Sequence, residues 1–326
     1  TTAPFDGELM RALQITVLNS DGILLWHYPA TYMTLIRPLG WLPYIPALIL
    51  FSLISLSLWV FVVRKCWPDQ TWAAVLPVLS APVVWLNLAQ GQNGVFTAAL
   101  LIGFLLGLRD NRIWLTAACA ALLLIKPHFG VLMPVVLLML GRWATFGAAC
   151  LLSVAFIGLA TAVCGVAYWQ AFFANTPVLS AALLDGGLLK QQISGFAFVR
   201  GLGGGSVLAY SLQACSAAFA ISVTLFCWRT PDWNIRIPTF LIASLCISPY
   251  AFQYDMVVSA LACGFLWQVV ERLDIPWGRP LIALFWFAPL LHQYLYHQTG
   301  FLILYPLLLA MLCLCLKACR VGDTAG

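Results

Sequence analysis

The stretch WHYPATYMTLIRPLGWLP, Trp26 to Pro43, sets His27, Arg37, the aromatic residues Trp26, Tyr28, Tyr32 and Trp41 and three prolines directly ahead of a long apolar run. Proline lacks a backbone donor and restricts the residue before it, so Tyr28-Pro29, Arg37-Pro38 and Leu42-Pro43 cannot share one regular helix. Non-helical backbone beside lipid is tolerated only where protein buries it or water reaches it. The stretch therefore reads as an interfacial or re-entrant segment lining a cavity at a membrane surface. A connecting loop carrying aromatic-belt residues fits the local pattern equally.

Composition around this stretch sets the broad class. Of 326 residues 63% are apolar and 8% are charged, against roughly 25% charged in soluble domains. That is a polytopic membrane protein, all-α and read as one domain over 1–326. The net charge of +5 then says nothing for nucleic acid, which is not expected as a partner, and is read loop by loop for orientation. The cysteines mostly lie inside apolar runs, where cysteine acts as a small hydrophobe, and no Cys-x-x-Cys pair occurs. No structural disulfide is expected.

Upstream, Leu9, Leu13 and Val17 suggest a short amphipathic helix on the surface, so residues 1–40 form an outer-face amphipathic and re-entrant segment. Downstream, apolar runs at roughly 41–63, 72–88, 94–108, 113–125, 129–141, 145–164, 206–228, 237–248, 255–271, 281–291 and 301–317 give about eleven membrane spans. Alternating them puts Arg64, Lys65, Arg109, Arg112, Arg142, Arg229, Arg236, Arg272, Arg279, Lys317 and Arg320 on one side. Only Arg11, Arg37, Lys126, Lys190 and Arg200 remain on the other. By the positive-inside bias the first side is cytoplasmic. An odd count then leaves Thr1 outside, and the expectation is one further span upstream. The segment 165–206 becomes an outer loop. Its run Gly201-Leu202-Gly203-Gly204-Gly205 follows no strand and fits no nucleotide-binding fingerprint.

On this topology the polar residues at membrane depth fall on the outer side, and such residues tend to face a cavity or pathway. His27, Gln92, Asn93, Lys126, His128, Tyr254 and Asp255 all sit at or beside a break between apolar runs. Gly91-Gln92-Asn93-Gly94 brings amides and glycines to a helix start, as an anion site or as a plain cap. Lys126-Pro127 ends a run; the lysine either snorkels or holds a phosphate as a point charge. Ser248-Pro249 leads to Tyr254-Asp255, where the carboxylate serves as base, hydroxyl ligand or helix cap. His292-Gln293 and His297-Gln298 surround the last outer loop, with interfacial packing as the default. The histidine spacing does not suit zinc, so no metal and no cofactor is expected. No Gly-x-Ser-x-Gly element or Walker-type loop is present.

Taken in order, these breaks resemble glycosyltransferase family 87, the polyprenyl-phosphate-mannose-dependent mannosyltransferases and their bacterial relatives. Tyr28-Pro29 through Arg37-Pro38-Leu39 to Leu42-Pro43 is similar to the family's Tyr-Pro-Pro…Pro-Leu…Leu-Pro segment, with Ala30 in place of its second proline. Gly91-Gln92-Asn93, Lys126-Pro127 and Ser248-Pro249 with Tyr254-Asp255 resemble its other elements, and the likeness runs from about Asp6 to Val270. The resemblance implies a helical bundle of the GT-C type and a polyprenyl-phosphate-linked sugar donor. It also implies a metal-independent, inverting transfer on the outer face of a bacterial inner membrane.

Two departures stand out. The family's base lies in a first outer loop upstream of the Tyr-Pro segment, which leaves only Asp6 or Asp21 as local substitutes here. Tyr254 and Asp255 stand where mannosyltransferases often carry histidine. The expected function is transfer of a hexose, mannose first, to a lipid or glycan acceptor. Asp255 is expected as the acid–base group, Lys126 and Arg37 hold the donor phosphate, and His27, Tyr28, Gln92, Asn93, His128 and Tyr254 contact sugar or acceptor. The rival expectation is a transporter or flippase for a lipid-linked sugar.

Overall fold

The computed structural model describes residues 2–18, 26–177 and 188–325, and among these the chain is helical without strands. Of the two acids considered as substitute bases, Asp21 lies outside the described residues. Asp6 is exposed and caps the first helix by accepting the Glu8 and Leu9 amides. That helix, α1 (Gly7–Leu18), leaves Leu9, Leu13 and Ile15 exposed along its length. The Trp26–Pro43 stretch breaks where its prolines require. Pro29 caps α2 (Ala30–Ile36), Pro38 sits in a 3-10 turn (Arg37–Trp41), and Pro43 caps the long α3 (Tyr44–Cys66).

The chain then runs back and forth. α4 (Trp72–Leu79) and α5 (Pro82–Ala89) form a pair bent by 49°, because Pro82 cannot continue the helix before it. They are followed by α6 (Gly94–Arg109), α7 (Ile113–Leu122), α8 (Leu132–Met139) and α9 (Trp143–Cys164). The segment expected as an outer loop is not a plain loop: it contains α10 (Val166–Ala174) and α11 (Gly195–Gly201). Tyr168, Phe196, Ala197 and Val199 are buried there, and this apolar content folds the segment onto the bundle. Its Asp185-Gly186-Gly187 lies outside the described residues. The bundle closes with α12 (Ser206–Cys227), α13 (Trp233–Ile247), α14 (Val257–Arg272), α15 (Gly278–Thr299) and α16 (Leu304–Ala325).

Every expected apolar run is helical, yet the structure does not show eleven spans. Four helices are long and apolar enough to cross a bilayer (Tyr44–Cys66, Trp143–Cys164, Ser206–Cys227 and Leu304–Gly322), and the bent α4–α5 pair makes a fifth if taken as one span. The physical reason is visible in α6, which is buried on nearly every face from Gly94 to Leu108. A helix hydrophobic all round suits a protein interior as well as lipid, so hydropathy alone does not distinguish a full-length span from a buried helix. All the cysteines are free thiols.

The ends of the bundle are held by different groups. At one end Arg109 donates to the Lys65 carbonyl at 3.5 Å, Trp67 donates to Gln268 at 3.2 Å, and Arg272 pairs with Asp232. At the other end the chain breaks at Trp26–Pro29, Gln90–Asn93, Leu123–Gly130 and Ser248–Met256 come together.

Candidate active site

The convergence begins with backbone geometry. Gln90 ends α5, Gly91 turns the chain at φ +62°, and α6 starts at Gly94. A side chain at Gly94 would place its Cβ 2.2 Å from the Tyr254 carbonyl oxygen and 2.4 Å from Asn87 Nδ2, so only glycine fits. Asn87, fully buried, fixes this approach: its Nδ2 donates to the Tyr254 carbonyl at 3.0 Å and its Oδ1 accepts the Val95 amide at 3.3 Å. The Ser248–Met256 turn is thus bolted to the head of α6.

From the turn, Asp255 projects inward. Its Oδ1 meets Lys126 Nζ at 2.5 Å, and its Oδ2 accepts the Phe252 amide at 3.1 Å. The lysine and aspartate side chains are 5% and 2% exposed. Two charges this deep are costly unless paired, and each is the other's compensation. Lys126 reaches the pair because a 3-10 turn (Leu123–Ile125) ends α7 and Pro127 begins another, which leaves Lys126 extended between them. Its ammonium lies over the Tyr254 ring at 4.9 Å, and Phe252 stacks on Tyr254 at 5.3 Å.

Asp255 stands in the break between α13 and α14. Burial pushes its carboxyl above the ordinary carboxylate range, and the neighbouring Lys126 pulls the other way. The cap expected as one role of this residue is present in the Phe252 contact, alongside the ion pair.

The opening stretch supplies the remaining wall. Thr31 donates to the Leu124 carbonyl at 2.8 Å, which docks the head of α2 beside the lysine. Tyr168 receives the Trp26 indole N–H at 2.8 Å and donates to the Tyr28 carbonyl at 3.2 Å. The Tyr28 and Tyr32 rings pack tilted with centroids 4.4 Å apart and lie against the Asn93 amide; Tyr28 also approaches Tyr254. Asn93 is 1% exposed, and neither its oxygen nor its nitrogen has an aligned hydrogen-bond partner.

Of the residues expected at a site, Lys126, Asp255, Tyr254, Tyr28 and Asn93 are therefore assembled. Gln92 is half-buried, held by its backbone amide on the Asn87 carbonyl. His128 packs on Phe129 at 4.4 Å with Nε2 unpartnered, and burial holds its imidazole down to about 3, so it is neutral. His27 packs on Phe172 at 5.2 Å, buried at Nδ1, with its pKa lowered by burial. Arg37 is exposed and donates to the Val163 carbonyl at 2.7 Å, engaged with the end of α9 and not with the pair.

Sequence reading missed Asn87, Tyr32 and the role of Gly94. The amide inside the apolar Pro82–Ala89 run was the available signal for Asn87. Among the described residues no group of three or more His, Cys, Asp or Glu side chains is placed to hold a metal.

From Pro127, the residue after Lys126, the bundle is open on its flank, although neither member of the ion pair lines the opening. A cavity of about 380 Å³ runs between α7, α8 and α9, from Pro127 and Gly130 past Leu124, Met133 and Phe146 to Val154. Its walls are almost wholly apolar, and Val154 is 70% exposed on the outer surface.

The family model described as glycosyltransferase family 87 matches residues 26–249. Comparison with curated proteins and with solved structures gives no match.

Proposed function

The chain belongs to glycosyltransferase family 87 and is a membrane glycosyltransferase; from this premise we propose that it moves a hexose, mannose first, from a polyprenyl-phosphate carrier to a lipid or glycan hydroxyl. In this reading the transfer takes place on the outer face of a bacterial inner membrane, at the end of the bundle where the breaks converge. The observation that carries it is the buried Lys126–Asp255 pair, walled by Tyr28, Tyr254 and Asn93, next to an apolar flank cavity that begins at Pro127. An anionic headgroup with an apolar tail fits that adjacency: the cation takes the phosphate and the flank takes the chain.

The chemistry follows from exchange of partners. The donor phosphate competes with Asp255 for the Lys126 ammonium and frees the carboxylate as it binds. Asp255 then takes the proton from the acceptor hydroxyl, whose oxygen forms a bond to the anomeric carbon as the carbon–phosphate-oxygen bond breaks. The departing lipid phosphate keeps the bonding electrons, and Lys126 stabilises its charge in a site of low dielectric. Tyr28, Tyr254 and Asn93 offer hydroxyl and amide groups to the sugar. His27, Gln92 and His128 line the approaches, and Arg37, on the rim, acts on a phosphate only after leaving Val163.

The test uses the full-length protein in liposomes with radiolabelled polyprenyl-phosphate mannose, with label followed into extracted lipids and glycans. Transfer by the wild type and its loss in Asp255→Asn are expected. Label that crosses the bilayer without changing its chemical partner would instead indicate a flippase. Transfer that survives in Asp255→Asn would remove Asp255 as the base.

A further inference from the structure

Among the described residues, the rule for the buried amides of Gln213, Asn87 and Gln253 is that both polar atoms are partnered. Gln213 donates to the Cys246 and Ile247 carbonyls, both at 3.0 Å, and accepts the Phe196 amide at 3.3 Å. Asn87 uses both of its polar atoms, and Gln253 donates to the Pro289 carbonyl while accepting from Gln293 at 2.9 Å. Gln192 breaks the rule. It is 0% exposed, and neither its Oε1 nor its Nε2 has a partner. Next to it His292, also 0% exposed, uses Nε2 on the Gln192 carbonyl at 3.2 Å and leaves Nδ1 unpartnered. Native proteins seldom leave such atoms unmet in two residues that touch, and a ligand or trapped water is the usual explanation.

Position gives the cluster its meaning. Gln192 forms an antiparallel bridge with Phe252, and the Ile193 amide donates to the Ala251 carbonyl at 3.0 Å. The Phe252 amide donates to the Asp255 carboxylate, so Gln192 joins the turn that holds Asp255 directly. Asn93, a second buried amide without an aligned partner, lies against Tyr28 and Tyr32, and Tyr28 in turn approaches Tyr254 of the same turn. Of these two amides, Gln192 is the one that adjoins the Asp255 turn with both side-chain atoms open.

We propose that Gln192 and His292 form a second hydroxyl-binding subsite, which takes sugar hydroxyls of the donor beside the Asp255 turn; this rests on the glycosyl-transfer reading above. A side-chain amide offers a donor and an acceptor together, which matches neighbouring hydroxyls that each give and take a hydrogen bond. An anion would call for a cation, and that role belongs to Lys126. The three atoms are sealed, so the sugar reaches them when the two-contact seam between Gln192-Ile193 and Ala251-Phe252 parts.

The experiment pairs protein and substrate changes. Wild type, Gln192→Met and His292→Asn, full length in liposomes, are assayed with polyprenyl-phosphate mannose and a series of monodeoxy analogues of it. For the wild type, loss of the contacted hydroxyl lowers kcat/KM about 10- to 100-fold. In Gln192→Met that penalty for the same hydroxyl disappears, a coupling that a merely structural role would not produce. His292→Asn carries the same cycle if Gln192→Met does not fold. An undiminished penalty in the variants, as a trapped water alone would leave, overturns the subsite. Equilibrium binding of tritiated methyl mannoside separates this from the transfer reading. Without transfer by any form, binding by the wild type that is lost in Gln192→Met keeps the subsite and removes the transferase. Absent or unchanged binding in that case removes both.

Discussion

The two ends of the bundle hold the same kinds of ion pair in opposite circumstances. At the basic end Arg272 pairs with Asp232, and Arg279 with Glu271 at 2.8 Å, with the arginines about half exposed. Arg236 lies over the Trp233 ring at 5.2 Å and Arg64 over Trp72 at 4.6 Å. Such pairs are screened by solvent and serve orientation and anchoring more than stability. At the other end the Lys126–Asp255 pair is buried and aromatic-walled. A buried pair is poor value as a stabiliser, because well-packed apolar residues would do as well. The function proposed for it is chemical, and the exposed pairs at the basic end are the internal control.

The contrast is broken most strongly by stranding one charge. Lys126→Met leaves a carboxylate buried alone, with an expected loss of about 3–5 kcal/mol. Thermal melting in detergent checks this, and the double variant Lys126→Met/Asp255→Leu is expected to melt well above the single one. Equal melting of the two would mean that the pair is not coupled. On activity, Asp255→Asn is expected to lower kcat by about 10²- to 10⁴-fold as the proposed general base is lost.

Next in size is Gly94→Ala. Its Cβ must displace the Tyr254 carbonyl, and overpacking of that kind costs about 1–3 kcal/mol. Gly158, exposed in the middle of α9, provides the comparison: nothing lies within reach of a Cβ there, so Gly158→Ala should leave transfer unchanged and not lower melting.

A pH profile sharpens the assignment of the base. Burial raises the Asp255 carboxyl, and a base works only when deprotonated. Activity should therefore fall on acidification with a midpoint above the ordinary carboxylate value of about 3.9. Burial holds His128 neutral down to about 3, so His128→Gln should leave that limb in place. A limb that moves with His128 would transfer the assignment to the histidine. Smallest of all, Arg272→Ala and Arg279→Ala should each change stability by no more than about 1 kcal/mol, and less at high salt. A larger change would erase the distinction between the ends.

Much of the fold was legible in the chain. Proline positions fixed the breaks at Pro29, Pro38 and Pro43, and each apolar run proved helical. The polar residues chosen at the breaks include both members of the ion pair and three of its neighbours. Arg37 shows the limit of such reading: a cation in the right stretch turned to the Val163 carbonyl, because helix α9 lies against α2 and offers an unsatisfied C-terminal carbonyl. His292 was read as interfacial packing, yet it is fully buried against Gln192. Nothing in the local pattern around either residue signals the other, since they are a hundred positions apart.

By itself, then, the sequence determined the solvent and the units. Its scarcity of charge requires a membrane, its apolar runs require helices, and its prolines require interruptions at a few places. Tertiary structure alone decided which interruptions meet. Lys126 and Asp255 are 129 residues apart, and their union depends on Asn87 spanning two helices and on a glycine that lets a carbonyl approach. Hydropathy is summed along the chain, whereas the cost of a buried charge depends on what packs around it. That is why the class of protein could be read from residues in order and the site only from residues in contact.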